Sequence, residues 1–352
     1  MIYAHIPFCE SKCPYCGFNS FAASDPPQNA YIAALIRQFE VDLALRERDR
    51  FDSLYIGGGA PSVFEAASYE PFFAKVLPFL YRGAEITIEA NPNSLTLNWA
   101  KTMRSYGANR ISVGVQSFDD RKLKRLGRAH NGSRAKTALT NAREAGFTQI
   151  NVDFIYGAAG DSIALLSNDL NEAKKLGATH ISAYCLTIEE NTPFFAKPDM
   201  ALDDFETERE FSRLIESAGY PRYEVSNYGK VVSRHNFGYW EGRGYLGLGA
   251  GAVGFARNDA IAFRYSPRRD FKSYIDDPLC KTTEVIDAKA CDDERLALGL
   301  RCVSGFNALA LNEKERAKAD LLVERGRLKR DKSRYYNVDF WLSDEIWLYI
   351  KS

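Results

Sequence analysis

The sequence lacks long hydrophobic runs and an excess of charge. Its apolar stretches are short and broken, as at residues 76–81, so no segment is predicted to span a membrane as a helix. The 46 basic and 46 acidic residues give a formal net charge of zero, so charge gives no reason to expect nucleic acid as a partner. The first residues, MIYAHIPFC, have no basic flank and no long apolar stretch, so we expect no secretion signal.

Cysteine pairing is also lacking. The seven cysteines are an odd number, and three of them lie within residues 9–16, which argues against a disulfide framework. We therefore expect a reducing, cytoplasmic setting. The remaining cysteines are interpreted as buried apolar residues rather than ligands: Cys185, Cys280, Cys291 and Cys302.

Short β-branched runs alternate with segments of helical period. The runs lie at residues 2–6, 53–56, 85–90, 110–115, 149–156 and 180–186. Their spacing of about 30 residues predicts βα units and a parallel sheet. Because a closed barrel of this type has about eight such units and this chain has fewer, we predict an α/β fold with an open, partial (β/α)6 barrel.

The helical segments and the later part of the chain complete the predicted organisation. Residues 31–43 repeat an apolar residue every four positions, Gly146 is predicted to end a second helix, and Asp203 to open a third. We predict a barrel at 1–226, a glycine-rich connector at 227–269, and a small winged-helix-like domain at 270–352. That domain is predicted to contain helices at 293–300 and 313–324, then a β-ribbon and a last helix.

The stretch CESKCPYC places Cys9, Cys13 and Cys16 in one tight loop. Four thiolates normally hold a [4Fe–4S] cube, so three leave one iron open, which is typical of catalytic metal centres. A zinc site completed by a distant Cys or His stays open as an alternative, although zinc loops favour C-x-x-C pairs and no second pair occurs. His5 is interpreted as a packed core residue.

Polar residues and glycines follow several of the predicted strands. Gly57, Gly58 and Gly59 follow the second strand, and Glu89 ends the third. Gln116 follows the fourth strand. Ligands bind at the carboxyl ends of strands in parallel α/β folds, so these residues predict a binding site there.

The segment YAHIPFCESKCPYCGF resembles the radical S-adenosylmethionine (radical SAM) superfamily, whose signature is C-x-x-x-C-x-x-C. More narrowly, the chain resembles the HemN/HemW family, which contains an oxygen-independent coproporphyrinogen III dehydrogenase and heme chaperones. Segments with counterparts in that family follow in order over nearly the whole chain: YIGGGAPS, IEANPNSL, NRISVGVQSFDD, INVDFIYGAAGDS, YEVSNYG and RHNFGYW.

The resemblance implies a role for individual residues. Cys9, Cys13 and Cys16 would hold a [4Fe–4S] cluster whose open iron is chelated by S-adenosylmethionine, which the reduced cluster cleaves to a 5′-deoxyadenosyl radical. The residues matching cofactor-contacting positions are Tyr3, Tyr15, Gly58, Gly59, Ala60, Glu89, Gln116, Arg128, Asp153, Ala183 and Val253. Two positions depart from the family: Ala60, where it usually has Thr, and Ala159, where it usually has Pro.

Three features favour the HemW type over the dehydrogenase type. Phe18 stands where the dehydrogenase has a fourth loop cysteine, and the dehydrogenase's extension before the loop is absent. The segment HNFGYW matches an HNxxYW signature associated with heme binding, with His235 as an axial iron ligand and Tyr239 and Trp240 lining the macrocycle. The same residues are also typical of a capped turn over a small core.

The resemblance therefore implies a heme chaperone that binds heme and a [4Fe–4S] cluster with S-adenosylmethionine. It would deliver heme to acceptor proteins, such as membrane respiratory enzymes. The alternative is a radical SAM oxidoreductase of the coproporphyrinogen III dehydrogenase type. No catalytic residue is assigned, and a homodimer is left open.

Overall fold

The computed structural model describes residues 1–45, 50–202, 204–257 and 261–352. The strands are β1 (Ile2–Ile6), β2 (Phe8–Cys9), β3 (Phe21–Ala22), β4 (Phe51–Gly58), β5 (Leu80–Ala90), β6 (Arg110–Gln116), β7 (Gln149–Tyr156), β8 (His180–Cys185), β9 (Asn227–Gly229), β10 (Leu246–Leu248), β11 (Gly254–Arg257), β12 (Ala262–Pro267), β13 (Lys281–Ile286), β14 (Phe306–Asn307), β15 (Leu328–Asp331) and β16 (Arg334–Asn337). The helices are α1 (Gln28–Ala44), α2 (Glu70–Val76), α3 (Leu97–Ser105), α4 (Asp120–Arg125), α5 (Gly132–Glu144), α6 (Ile163–Lys175), α7 (Phe205–Ser217), α8 (Arg234–Trp240), α9 (Phe271–Asp276), α10 (Ala288–Gly299), α11 (Glu313–Glu324) and α12 (Ser343–Lys351).

One eight-stranded sheet forms the frame, in the order β10-β1-β4-β5-β6-β7-β8-β9. The six predicted strands are its neighbouring parallel members, β1 and β4 to β8. The strand β9 pairs antiparallel with β8, and β10 pairs parallel with β1. Within the described residues, the two edge strands β10 and β9 do not pair with each other, so the predicted open, partial barrel is confirmed.

The strand β6 shows how the sheet separates apolar from polar side chains. Alternate residues of a strand point to opposite faces. Its apolar residues belong to the main hydrophobic core beneath the helices: Ile111, Val113 and Val115. The residues between them line a cavity on the inner face: Arg110, Ser112, Gly114 and Gln116. The inside of this barrel is therefore polar and open rather than filled with aliphatic side chains.

The helices begin and end largely where their sequence signals place them. The predicted helix around residues 31–43 is α1, and Gly146 follows α5 with a φ of 91°, a left-handed conformation that glycine adopts easily. Asp203, predicted to open a helix, lies outside the described residues. The N-cap of α7 is Asp204, whose side chain accepts a hydrogen bond from the Thr207 amide.

The last part of the chain has its own hydrophobic core, formed by residues between 296 and 350. It contains α10, α11 and α12 with the small sheet β14-β16-β15, a helix-and-ribbon arrangement of the winged-helix kind. The glycine-rich connector is more than a link, because it supplies the edge strand β10. The hairpin of β12 and β13 crosses residue 269, and the division of the chain at 226 and 269 stays a prediction.

Candidate functional site

A cavity of about 720 Å³ occupies the inside of the partial barrel. We call the carboxyl ends of the parallel strands its upper end and their amino ends its lower end. The cysteine loop lines the upper end, and α8 lines the lower end through His235 and Tyr239. The residues predicted to bind the cluster, S-adenosylmethionine or heme line this one cavity, except Ala183, Val253 and Trp240.

The cysteine loop follows β1 at the upper end. Its three thiols are free and half-buried, and the Cys16 amide donates to the Cys13 carbonyl at 3.1 Å, which closes a turn between them. Burial and the two neighbouring thiols raise the pKa of Cys9 to about 11. The Cys9 thiol therefore resists ionising unless a cation compensates the charge.

The glycine turn after β4 lies directly beneath this loop. Gly58 has a φ of 124°, and a Cβ there would lie 2.7 Å from Nδ1 of His5. A Cβ on Gly59 would lie 2.8 Å from the Cys9 sulfur and 2.6 Å from the Phe8 carbonyl oxygen. Both positions require glycine, and the bare backbone can therefore approach a ligand held by the loop. Ala60 continues the turn and donates its amide to the Phe8 carbonyl at 2.7 Å.

Glu89 ends β5 beside that turn. Its carboxylate accepts hydrogen bonds from the Tyr55 hydroxyl at 2.6 Å and from the Gly58 amide at 3.0 Å. Burial raises the pKa of Glu89 to about 7, against the lowering effect of the Tyr55 bond. A cationic ligand would favour the ionised carboxylate, so the site is suited to a sulfonium or ammonium group.

Gln116 and Arg128 form the side of the upper end away from the glycine turn. Gln116 has a φ of 65°, an uncommon value for a residue with a side chain, and strain of this kind often marks binding sites. Arg128 donates to the Cys13 sulfur and to the Tyr15 hydroxyl, both at 3.3 Å, and to the Gly114 carbonyl. Its buried Nε has no hydrogen-bond partner among the described residues.

Asp153 belongs to a network along the inner face of β6, β7 and β8. It accepts from the Asn151 amide at 2.7 Å and from the Ser112 hydroxyl at 3.2 Å. Burial raises its pKa, and these hydrogen bonds oppose that shift. Sequence reasoning missed most of the inner wall: Tyr55, Arg110, Ser112, Asn151, Ser182, Tyr184 and Asn227. The alternation of polar and apolar residues in segments such as RISVGVQ was the signal that could have found them.

Tyr3 and His5 lie on the same face of β1. The Tyr3 hydroxyl is 2.8 Å from Nδ1 of His5, and Nε2 of His5 is 2.9 Å from the Asn19 carbonyl oxygen. Both ring nitrogens of His5 are thus in use, so His5 is not placed as the distant ligand that a zinc site would need. Among the described residues, no group of His, Cys, Asp or Glu side chains is already assembled as a metal site.

Ala183 and Val253 lie away from the cavity. The Ala183 side chain is in the main core on the outer face of β8, and its amide donates to the Ser226 carbonyl at 2.8 Å. Val253 is exposed, and its carbonyl oxygen lies against Gly247, where a Cβ would be 2.0 Å away. Any contact of either residue with a ligand in the cavity would require its backbone.

The lower end is closed by α8, which carries the HNFGYW segment. The Glu85 carboxylate accepts from the Arg234 amide at 2.9 Å, the His235 amide at 3.0 Å and the Ser233 hydroxyl at 3.3 Å. Carboxylates stabilise helix starts in this way because the first amides have no partner within the helix. Glu85 therefore fastens α8 to the barrel.

His235 is only 1% exposed, and both of its ring nitrogens are hydrogen-bonded. Nδ1 is 2.8 Å from the Ser53 hydroxyl, and Nε2 is 2.9 Å from the Tyr239 hydroxyl. Burial lowers the pKa of His235 to about 3, so the ring stays neutral. Iron ligation by His235 would require one of these bonds to break, and its role as an axial ligand stays a prediction.

The donor set of the upper end fits an iron–sulfur cluster with a bound cofactor. Three free thiols face one cavity, ionisation of the Cys9 thiol calls for a compensating cation, and thiolate is the ligand that iron–sulfur clusters use. The glycine turn, Glu89 and the partly unpartnered Arg128 lie beside those thiols. The thiols are not yet arranged as a metal site, so the loop would adjust as a cluster forms.

Comparisons with known proteins agree with this geometry. Residues 3–171 match the model of the radical SAM superfamily. The heme chaperone HemW of Haemophilus influenzae is 39% identical over 266 residues, covering 72% of this chain and 69% of that protein. HemW of Bacillus subtilis is 31% identical over 327 residues, covering 89% and 86%.

A solved structure extends the likeness of the fold. Coproporphyrinogen III oxidase (HemN) of Escherichia coli superimposes with a TM-score of 0.81 at 19% identity, covering 100% of this chain and 89% of that one. Among the described residues, no helix combines the length and the apolar character needed to cross a membrane.

Proposed function

Because the chain belongs to the HemN/HemW family of the radical SAM superfamily, we propose that it is a heme chaperone of the HemW type. It would bind a [4Fe–4S] cluster and S-adenosylmethionine at the upper end of the barrel, carry heme, and pass it to acceptor proteins such as respiratory enzymes. The observation that carries the proposal is the similarity to HemW proteins of 31–39% identity, together with a cavity in which three free thiols meet the other predicted cofactor residues.

Each residue of the upper end has a definite task in this proposal. Cys9, Cys13 and Cys16 would hold the cluster, which with S-adenosylmethionine supplies one-electron chemistry when bound. The Arg128 guanidinium, 3.3 Å from the Cys13 sulfur, would stabilise the ionised thiol. Glu89 would take the positive charge of the cofactor, and the turn at Gly58 and Gly59, which has no Cβ in the way, would let its backbone carbonyl oxygens approach the ligand.

Partners and setting follow as parts of the same proposal. The free thiols would suit a reducing, cytoplasmic compartment. Heme delivery would proceed through a protein–protein contact, and a homodimer linked through the cluster loops is one arrangement in which it could occur. Phe18 is 69% exposed on the cluster loop, so an apolar contact surface is present beside the thiols.

Hemin titration of the anaerobically reconstituted protein tests the chaperone proposal. We expect a shift of the Soret absorbance that saturates at a fixed ratio of hemin to protein, followed by transfer of heme to an apo-acceptor. A protein that contains its cluster and gives no Soret shift would contradict the proposal. Bovine serum albumin, which binds hemin without the cluster, serves as the donor control in the transfer step.

One observation favours the second candidate, an oxidoreductase acting on a porphyrin precursor. Arg110 lines the cavity and is only 4% exposed, and within the described residues it has no hydrogen bond or salt bridge. A buried unpaired charge is costly, so a carboxylate of a substrate would stabilise it. Incubation with coproporphyrinogen III, a reductant and S-adenosylmethionine tests this, and formation of protoporphyrinogen IX would replace the chaperone proposal.

A further inference from the structure

A second cavity, of about 320 Å³, lies outside the barrel beyond α8. We call it the arginine cleft. It lies where the end of α8 meets the hairpin of β11 and β12 and the helix α10. Aromatic rings form its walls: those of Tyr239 and Tyr245 meet edge to face at 4.6 Å, and those of Tyr245 and Phe255 lie 6.3 Å apart. Such walls suit a flat aromatic ligand.

The rim of the cleft carries four arginines and one glutamate. The charged residues that line it are Arg243, Arg257, Arg264, Arg295 and Glu294. Three of the four arginines have carboxylate partners, namely Asp52, Glu294 and Asp292. Arg257 is exposed and forms no salt bridge with the described residues. The guanidinium of Arg257, which has no carboxylate partner among the described residues, favours a ligand that carries a carboxylate.

A thiol completes the lining. Cys291 on α10 is a free, half-buried cysteine that packs against the small cluster of Phe255, Ala262 and Ile286. It was interpreted from sequence as a buried apolar residue, but of the four cysteines outside the loop only Cys302 is buried. A cysteine sulfur is a good ligand of heme iron, and it can bind after the thiol gives its proton to solvent.

Aromatic walls, a rim that attracts carboxylates and a sulfur ligand together define one ligand class. We propose that the arginine cleft binds the edge of a ferric porphyrin, with its carboxylates at Arg257 and the neighbouring arginines and its iron on the sulfur of Cys291. This site rests on the proposed function and locates its cargo. The cleft is near the lower limit of small-molecule sites, so it encloses part of the macrocycle and leaves the rest open to an acceptor.

The HNFGYW segment contributes to this site by holding one of its walls in place rather than by supplying the iron ligand. Tyr239 lines both the barrel cavity and the arginine cleft, and its hydroxyl is hydrogen-bonded to Nε2 of His235. His235 is thus a positioning residue for one wall of the cleft. Loss of His235 weakens hemin binding but leaves the iron ligand, and therefore the shape of the hemin spectrum, unchanged.

The test uses the reconstituted full chain and hemin, so that the loop cysteines are occupied by the cluster. Cys291→Ser removes the sulfur ligand, and we expect a changed Soret position with hemin affinity reduced about tenfold, or about 1.4 kcal/mol. The matched control is Cys280→Ser, since Cys280 is also a half-buried thiol next to an arginine, at 3.2 Å from Arg268, but lies outside the cleft. The control variant keeps the parent spectrum.

Metal-free protoporphyrin IX separates the two halves of the proposal. Without iron, Cys291→Ser has no effect on binding, whereas Arg257→Gln weakens binding of both porphyrins several-fold and Arg268→Gln weakens neither. If the parent protein binds hemin and neither Cys291→Ser nor Arg257→Gln changes affinity or spectrum, the cleft is not the site and the chaperone proposal survives. If the parent protein binds no hemin, the proposed function fails as well.

Discussion

The two ends of the barrel cavity differ in how the side chains predicted to bind the cluster, its cofactor or heme are bonded. At the lower end, Glu85 accepts three hydrogen bonds and both nitrogens of His235 are bonded. At the upper end, three thiols are free and the Nε of Arg128 has no partner among the described residues. Unsatisfied buried polar groups cost folding free energy, so they persist mainly where a ligand will satisfy them. At the predicted binding residues, the upper end therefore leaves groups for a ligand to satisfy, whereas His235 is already bonded. The buried side-chain nitrogens of Asn236 and Trp240 on α8 also lack partners among the described residues, so the contrast holds for these binding residues and not for every group of the lower end.

The largest expected effect is at the cysteine loop. Cys13→Ser should lose most of the bound iron and acid-labile sulfide after reconstitution, because a hydroxyl is a poor substitute for a thiolate ligand. Iron and sulfide analysis with the visible absorbance measures this. Cys280→Ser, a change of the same kind outside the cavity, keeps the cluster. Unchanged iron content in Cys13→Ser would show that the loop is not the cluster site.

The next largest effect concerns stability at the lower end. In Glu85→Gln, one accepting carboxylate oxygen is replaced by an NH2 group, which faces hydrogen-bond donors at the start of α8. We expect the free energy of unfolding to fall by about 2–4 kcal/mol. Denaturant unfolding measures the change, and the exposed Glu216→Gln is its control. Iron content after reconstitution should be unaltered. A stable Glu85→Gln protein that cannot hold its cluster would reverse the roles of the two ends.

The pH dependence of stability should have opposite signs at the two ends in the ligand-free protein. Burial raises the pKa of Glu89 to about 7. The contribution of Glu89 to the free energy of unfolding is therefore fully present below pH 4.5 and is lost as the pH rises to about 7. Burial lowers the pKa of His235 to about 3. The contribution of His235 to the free energy of unfolding is therefore present above pH 6.5 and is lost as the pH falls towards 3.

Unfolding of the parent, Glu89→Gln and His235→Asn proteins across pH 4–8 measures both slopes. Relative to Glu89→Gln, the free energy of unfolding of the parent should fall by about 3 kcal/mol as the pH rises, and relative to His235→Asn it should rise by a similar amount. If the difference in unfolding free energy between parent and variant changed with pH in the same direction for both variants, burial would not be the cause of the two pKa shifts.

The smallest expected effect concerns the geometry of one guanidinium. Arg128→Lys keeps the charge but loses the fork that reaches Cys13, Tyr15 and Gly114 at once. We expect about tenfold weaker binding of S-adenosylmethionine to the reconstituted protein, measured by isothermal titration under anaerobic conditions. Arg125→Lys, an exposed change at the end of α4, three residues before Arg128, is the control. Equal affinity in both variants would remove Arg128 from the binding site.

The outer face of the barrel could be predicted from the sequence, and much of the inner face could not. Apolar residues such as Ile111 and Val113 in β6 are buried in the main core, and their hydrophobicity marks the strand. Arg110 and Asn151 lie on the inner face, where polar residues resemble ordinary solvent-exposed positions until the sheet curves around a cavity. The strand β10 was missed because it is three residues long within a glycine-rich segment and depends on pairing with β1.

The candidate site shows the same limit. The loop cysteines could be located because their spacing is a local signal. That His235 lies at the opposite end of the barrel from them depends on contacts with Ser53 and Glu85, which are far away in the chain. Long-range contacts of this kind leave no periodic pattern in the sequence.

Hydrogen exchange of the reconstituted protein, with and without S-adenosylmethionine, tests most directly that the upper end is the binding end. Addition of the cofactor should slow exchange in the loop at 9–20, at Gly58 and Gly59 and around Gln116 and Arg128, and leave the amides of α8 unchanged. Protection confined to α8, with the cysteine loop unaffected, would contradict this account.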